Sequence, residues 1–248
     1  MRVYIAGKGP REIYLAAACR ERGHDIVDHG PWDQIILPLP ASEMPEELTD
    51  QLPRGQTILC GRTDEVLDAL AKKRGWRLRN VLLDEQFTRE NAILTAEGAV
   101  HAAMTYLDTA IGGQSCLVIG YGRIGRALAG MLRGIGARVT VAARRPESRK
   151  AAGENSVSLN GMIEALPHIG ILFNTVPAPV LPASALGLLP HGALLLELAS
   201  PPYGFDLNAA RKMGLNAHLE SGLPGRYCPR SAAEALLRFM EREDEHDE

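Results

Sequence analysis

Residues 115–145 read SCLVIGYGRIGRALAGMLRGIGARVTVAARR. Cys116-Leu117-Val118-Ile119 is a short apolar run of buried-strand length, and Gly120-Tyr121-Gly122-Arg123-Ile124-Gly125 follows at once as a G-x-G-x-x-G. Ile124, Leu128, Met131, Leu132 and Ile135 then recur at i, i+4, i+7, i+8 and i+11, which predicts a helix with one apolar face. Gly134 and Gly136 close it, and residues 137–143 read as a second strand, with Val139 and Val141 alternating against Arg138 and Thr140. Strand, glycine loop, helix, strand is the context that makes this motif a dinucleotide-binding fingerprint.

The glycines have separate physical tasks. Gly120 permits a tight turn, Gly122 lets the backbone approach a pyrophosphate, and Gly125 allows close helix–strand packing. The N–H groups of the helix start, around Arg123 and Ile124, would face the phosphates. The second strand runs into Arg144-Arg145, where an NAD enzyme usually carries Asp or Glu for the ribose 2′-hydroxyl. An arginine there suits the 2′-phosphate of NADP. A solvated basic strand end is the alternative, and Arg149 and Lys150 fit either reading.

The 248 residues, 46% hydrophobic and 23% charged, suffice for a large core in one domain or two. A net charge of −3 gives no reason to expect nucleic acid or a membrane surface, and no apolar run reaches the roughly 18 residues of a membrane span. Cys19, Cys60, Cys116 and Cys228 lie far apart without a C-x-x-C, as expected for thiols of a cytoplasmic protein with no metal site.

Residues 2–6 predict a strand that opens into Gly7-Lys8-Gly9-Pro10-Arg11 and a helix to Arg22, with Ile13, Ala16 and Ala17 inward. Without a third glycine at the right spacing, this reads as the first turn of a separate α/β domain expected to face substrate, with Lys8 and Arg11 either candidate anion contacts or plain surface charges. Further strands are expected at 24–27, 34–37, 57–60 and 76–78, and a helix at 64–74 with Val66, Leu67 and Leu70 on one side. Alternating strands and helices imply a parallel, flavodoxin-like sheet for residues 1–94.

A long helix follows, with Thr95 at its start and an apolar stripe of Val100, Ala103, Met104, Leu107 and Ile111. Its first N–H groups would hold a carboxylate near Thr95. Glu97 and His101 share the opposite face at i, i+4, suited either to proton transfer or to plain solvation. The Rossmann domain is expected over 95–225, with a helix at 160–166 and strands at 169–173, 194–198 and 215–219. Asn174, Thr175 and Ser200, at strand carboxyl ends, are expected near the nicotinamide. Residues 222–227 read as a shaped glycine-rich loop carrying Arg226, and Ser231-x-x-Glu234 as a capping box. Residues 226–248 would return a final helix, with Ala233, Leu236, Leu237 and Met240 inward, toward the first domain, ending in a frayed acidic tail from Glu241. A cleft between the domains would hold the substrate.

The chain resembles the dipicolinate synthase A-subunit family of spore-forming bacteria over almost its whole length. The resemblance rests on Ile35-Ile36-Leu37-Pro38, Asn91-x-x-x-Thr95-x-Glu97-Gly98-Ala99, Gly120-x-Gly-Arg-x-Gly125 and Val141-Ala-Ala-Arg144. Asn174-Thr-Val-Pro177, Leu198-Ala-Ser200, and Gly222-Leu-Pro-Gly225 with Pro229 complete the set. It implies an NADP-linked oxidation of a dihydrodipicolinate ring to dipicolinate, fed by the lysine-pathway intermediate 4-hydroxy-tetrahydrodipicolinate. It also implies that a flavoprotein-like B-subunit is the partner, in a protein expected to form oligomers. The dicarboxylate needs cationic or N–H contacts, for which Lys8, Arg11, Thr95, Arg62 and Arg226 are available. No motif names the proton acceptor.

Three other readings compete. A D-2-hydroxy-acid dehydrogenase shares the two-domain plan, but that family needs a late His base; here the late histidine is His218, inside an expected strand and without the following glycine pair. A shikimate-dehydrogenase-like enzyme would show a Lys–Asp pair that is not recognisable. A non-enzymatic NADP-sensing subunit is the third, against which the separate front domain argues.

Overall fold

The computed structural model describes residues 1–40 and 43–242. The chain divides into two compact units, one made of Met1–Asn91 with the described residues from Pro224 onward, the other of Ala92–Leu223.

In the first unit, β1 (Arg2–Ile5), α1 (Pro10–Glu21), β2 (Asp25–Ile26), β3 (Gln34–Ile36), α2 (Glu46–Thr49), β4 (Thr57–Cys60), α3 (Glu65–Arg74) and β5 (Arg77–Asn80) follow in turn. The sheet is parallel, in the order β2-β1-β3-β4-β5, which is the flavodoxin-like arrangement. Local signals set its helix ends. Pro10 stands in the first turn of α1, where its fixed φ suits a helix and its missing N–H costs nothing. Asp64 caps α3 by accepting the Leu67 N–H at 2.8 Å, and Gly75, at φ 70°, ends it.

Helix α4 (Glu85–Tyr106) begins in this unit and ends in the other. The second unit carries β6 (Ser115–Ile119), α5 (Arg123–Gly134), β7 (Arg138–Ala142), α6 (Pro146–Ala152), β8 (Ser156–Val157), β9 (Ile171–Asn174), α7 (Ala183–Leu186), β10 (Leu194–Glu197), α8 (Leu207–Lys212) and β11 (Asn216–Leu219). Its parallel sheet runs β11-β10-β9-β6-β7-β8, the Rossmann order of 3-2-1-4-5-6 once the strands are counted from β6. Strands β9 and β10 are buried at every residue because helices cover both faces, so they read as unbroken runs rather than alternations. The fold is thus α/β with a flavodoxin-like sheet and a Rossmann sheet.

The short α9 (Leu223–Tyr227) leads to α10 (Pro229–Glu241), which packs on α1. Ala233, Leu236, Leu237 and Met240 join Val3, Leu15, Cys19 and Phe87 in the core of the first unit. Buried Arg79 of β5 ties this helix down. Its guanidinium donates to the carbonyls of Phe239 (3.4 Å), Met240 (3.4 Å) and Arg242 (2.8 Å), and stacks 4.9 Å from the Phe239 ring centroid.

Several sequence expectations are corrected. Thr95 does not start a helix: α4 begins at Glu85, because the Asp84 carboxylate accepts the Phe87 N–H at 2.6 Å as an N-cap. The helix ends at Tyr106, so Leu107 and Ile111 lie beyond it, and Met104 is exposed while Ala96, Ala99, Ala102 and Ala103 are buried. In α1 the buried positions are Leu15 and Cys19, with Ile13 64% exposed and Ala17 outward, since the face that meets α10 passes through the former pair. Val66 is likewise exposed, Leu67 and Ala71 supplying the contact of α3. Ile135 caps α5 at the surface rather than extending its stripe.

Residues 160–166 form 3-10 turns, Gly161–Glu164 followed by Leu166–His168, with Pro167 supporting the break. The 222–227 stretch is not an open loop but holds α9. The capping box at Ser231 does not form: α10 starts earlier at Pro229, behind Cys228, and Glu234 pairs with Arg230 at 3.5 Å instead. Of the expected acidic tail, residues 243–248 lie outside the described residues.

Replacing Arg79 by Ala should destabilise the protein by about 1.5–3 kcal/mol, the scale of hydrogen bonds made by a charged group. Urea unfolding of the two proteins measures this.

Candidate functional site

The turn from β6 into α5 is built by three close approaches. Gly120 sits at φ 98°, a left-handed conformation that favours glycine, and a Cβ there would collide with the Thr175 hydroxyl. A Cβ at Gly125 would collide with the Gly120 carbonyl. Thr175 locks the arrangement, its hydroxyl donating to the Ile119 carbonyl at 2.9 Å. Gly122 differs: it is the exposed N-cap of α5, and a Cβ there meets nothing within 4 Å. The chain's own packing therefore does not require that glycine, and the open space lies where a pyrophosphate would reach the first N–H groups of α5, at Arg123 and Ile124. These residues fit a dinucleotide.

At the end of β7, Arg144 and Arg145 are both exposed. Arg149, from α6, donates to the carbonyls of Ala143 (3.1 Å) and Arg144 (2.8 Å) and so fixes the backbone that carries them. No carboxylate occupies positions 143–145.

Across the sheet the expected residues divide. Asn174, expected beside the nicotinamide, is fully buried and its amide is engaged: it donates to Glu197 at 2.7 Å and to the Val176 carbonyl at 2.9 Å, while its oxygen accepts the Val176 N–H at 3.2 Å. It shapes the turn after β9 from below. Thr175 and Ser200 are half-buried in the turns after β9 and β10, and the Ser200 carbonyl accepts the Tyr203 N–H at 3.3 Å. Glu197 is the residue that sequence reading missed. It is 0% exposed and also accepts the N–H groups of Ala199 (2.9 Å) and Gly204 (2.8 Å). Burial raises its pKa above the ordinary value, against the pull of these donors. The only signal was a charged residue closing an apolar strand.

In the first unit, the carboxyl edge of the sheet gathers Lys8, Arg11 and Arg62, with Arg226 on α9. Lys8 is exposed in the turn after β1. Arg11 is mostly buried and committed: it pairs with Glu12 at 2.6 Å and donates to the Leu39 carbonyl at 3.1 Å. Gly225 lies against it, a Cβ there standing 3.7 Å from Arg11 Nη1. Arg62 is exposed, and so is Arg226, which donates to the Tyr227 hydroxyl at 3.1 Å. Glu97 and His101 are exposed one turn apart on α4, whereas Thr95 is buried within that helix. The backbone N–H groups around Thr95 serve helix bonds, so the anion site expected there is absent.

A second cluster also went unseen in the sequence. The Tyr106 hydroxyl donates to buried Glu220 at 2.6 Å, and its ring stacks on that of His218 at 3.6 Å between centroids. The His218 Nε2 lies 2.6 Å from the Asn216 side-chain oxygen. Burial, then the nearby Arg211, hold the His218 pKa below its usual value, with Glu220 opposing. The buried thiols are inert for a similar reason: burial pushes Cys19 and Cys60 up to about 11 and Cys116 to about 12. No helix among the described residues is long and apolar enough to cross a membrane.

Comparison with known proteins fits this geometry. The family of the D-isomer specific 2-hydroxyacid dehydrogenase NAD binding domain matches residues 78–199. The dipicolinate synthase A-subunit of Bacillus subtilis (strain 168) is 26% identical, with 98% of this chain and 95% of that protein covered. The chain resembles the dipicolinate synthase A-subunit throughout. The crystal structure of that protein from Bacillus halodurans superposes with a TM-score of 0.86 at 24% identity, covering 98% of both chains. The Bacillus subtilis structure gives 0.82 at 25%, covering 97% of this chain and 94% of that one. Family and fold together support a dehydrogenase-type oxidoreductase with a nicotinamide dinucleotide cofactor.

Two measurements test the site. Gly125→Ala should lower stability by about 1–3 kcal/mol or more through overpacking, while Gly122→Ala should cost no more than about 1 kcal/mol, the scale of a poorer N-cap, both read by denaturant unfolding. The lowered His218 pKa means that the unfolded chain binds the extra proton first, so this residue's contribution is present above about pH 6.5 and is lost as pH falls through the lower folded value. Stability followed from pH 7.5 to 5 should fall less steeply in His218→Gln.

Proposed function

We propose that this protein is an NADP-linked dipicolinate synthase component that oxidises a dihydrodipicolinate ring, formed from 4-hydroxy-tetrahydrodipicolinate, to dipicolinate. The observation that carries the reading is the resemblance to the dipicolinate synthase A-subunit over 98% of the chain, in both units rather than in the nucleotide domain alone. The preference for NADP rests on Arg144 and Arg145, exposed where a 2′-hydroxyl-binding carboxylate would otherwise stand. A nicotinamide dinucleotide bound there would supply the two-electron acceptor for a hydride. The residues of this chain bind and orient: Gly120, Gly122 and Gly125 with the start of α5 receive the pyrophosphate, and Thr175 and Ser200 line the strand ends beside it. Loss of a ring proton accompanies the hydride, so that aromatisation drives the reaction. Glu97 and His101 are the exposed candidates to accept that proton.

For a dicarboxylate, the first unit offers Lys8, Arg62 and Arg226 as cationic contacts. Arg11 serves as a further contact whose charge Glu12 already offsets in part. We propose that a second component is the partner, because the relatives carry the name of one subunit of a synthase, and that it is flavoprotein-like, as the family resemblance implies. The 2-hydroxy-acid dehydrogenase alternative is disfavoured by His218, whose ring nitrogen is engaged with Asn216 and whose face is covered by Tyr106.

The purified chain, given enzymatically made 4-hydroxy-tetrahydrodipicolinate and NADP, should produce dipicolinate absorbance and NADPH together. Neither signal, with or without the partner, overturns the reaction. Arg144→Ala should weaken NADP binding by about 1.5–3 kcal/mol and barely change NAD binding. Equal losses for both cofactors in a titration would make Arg144 structural.

A further inference from the structure

Glu197 ends β10 inside the second unit with no solvent exposure. Its two oxygens face four N–H donors, those of the Asn174 amide, Ala199, Gly204 and Phe205. An environment made only of donors suits a carboxylate, because the O–H of a neutral acid would point at an N–H. Burial works against ionisation, so the donors sustain a charge that the interior alone would reject. Among the described residues, the hydrogen-bond partners of its oxygens are all neutral, and none is a Lys, Arg or His side chain. The geometry is that of a carboxylate held by N–H dipoles rather than by an ion pair among the described residues.

Its location gives that charge a use. Strand order reverses between β9 and β6, and doubly wound sheets take dinucleotides in the crevice outside the strand ends at that reversal. Asn174 ends β9 on one side of the crevice, and Glu197, bonded to it, ends the next strand. The turns that Glu197 holds, at residues 174–176 and 199–204, are those that carry Thr175 and Ser200. A charge in a poorly polarisable interior acts over a longer range than one in water. An oxidised nicotinamide ring is a cation, and a reduced one is neutral.

We infer that Glu197 is a buried counter-charge that makes the second unit bind the oxidised nicotinamide dinucleotide in preference to the reduced one. It is a positioning residue, acting through its field and not by touching the cofactor. The inference rests on the proposal that this unit binds a nicotinamide dinucleotide. Its consequence is an enzyme set for oxidation, which holds the oxidised cofactor and lets go of the reduced one.

The test is a pair of dissociation constants, for NADP⁺ and NADPH, measured by calorimetry and fluorescence on the full chain. Wild type should bind NADP⁺ the tighter. Glu197→Gln, which removes the charge at nearly constant shape, should move the ratio toward NADPH by about tenfold or more, whatever happens to the two affinities together. Asn174→Ala removes one donor but keeps the charge, so its ratio should stay within about twofold of wild type. An unchanged ratio in Glu197→Gln, or an equal shift in Asn174→Ala, overturns the inference while leaving dinucleotide binding intact. Should Glu197→Gln fail to fold, wild type itself decides: NADPH binding as tightly as NADP⁺, or more tightly, overturns it. Failure of wild type to bind either nucleotide overturns the underlying proposal instead.

Discussion

The contact between Gly120 and Gly125 sets the geometry of the nucleotide-binding unit. Helix α5 can start directly above the end of β6 only because neither residue carries a Cβ, and Thr175 closes the gap from the neighbouring strand. Strand, turn and helix are thereby locked to β9 as well as to each other. Gly122, at the exposed start of the helix, is not part of that packing: a Cβ there would meet nothing within 4 Å.

Beside this apolar arrangement runs a polar one of higher cost. Asn174 and Glu197 lie fully buried at the ends of β9 and β10 and satisfy each other and the turns above them. Partly satisfied, such a network would be worse than hydrocarbon; with each N–H matched to an oxygen it fixes the loops at one conformation. The first unit uses the same principle at Arg79, whose guanidinium collects the last carbonyls of α10 and so fastens a distant segment to β5. In both units a buried polar side chain decides where a neighbouring segment lies, the end of a helix in one and two turns in the other.

The two sheets have different strand orders, and each has its own reversal point with a basic surface nearby. In the first unit this is the edge bearing Lys8, Arg11 and Arg62; in the second, the end of β7 with Arg144 and Arg145. Arginine differs between the two places. Arg11 is bound to Glu12 and Leu39, whereas Arg144 and Arg145 project from a backbone that Arg149 holds still. A held backbone leaves the two exposed arginine side chains themselves as what remains to be ordered when an anion binds.

Much of this follows from the sequence by itself. The glycine fingerprint with its flanking strands, the alternation that makes two parallel sheets, the arginines after β7 and the apolar face of α10 are all local patterns, carried by neighbours along the chain. What the tertiary structure decided is where local patterns compete or fall silent. Periodicity shows that a helix has an apolar side but not which residues a neighbour covers, so α1 buries Leu15 and Cys19 and leaves Ile13 in water. Asp84 begins α4 before the motif around Thr95, and Pro229 starts α10 before Ser231 could cap it, because the earlier signal in each case was free to act. Glu197 was marked only by a charge that closes an apolar strand, and the Tyr106–Glu220 pair by nothing: a buried carboxylate is stable through donors that folding brings together, and no spacing along the sequence records them.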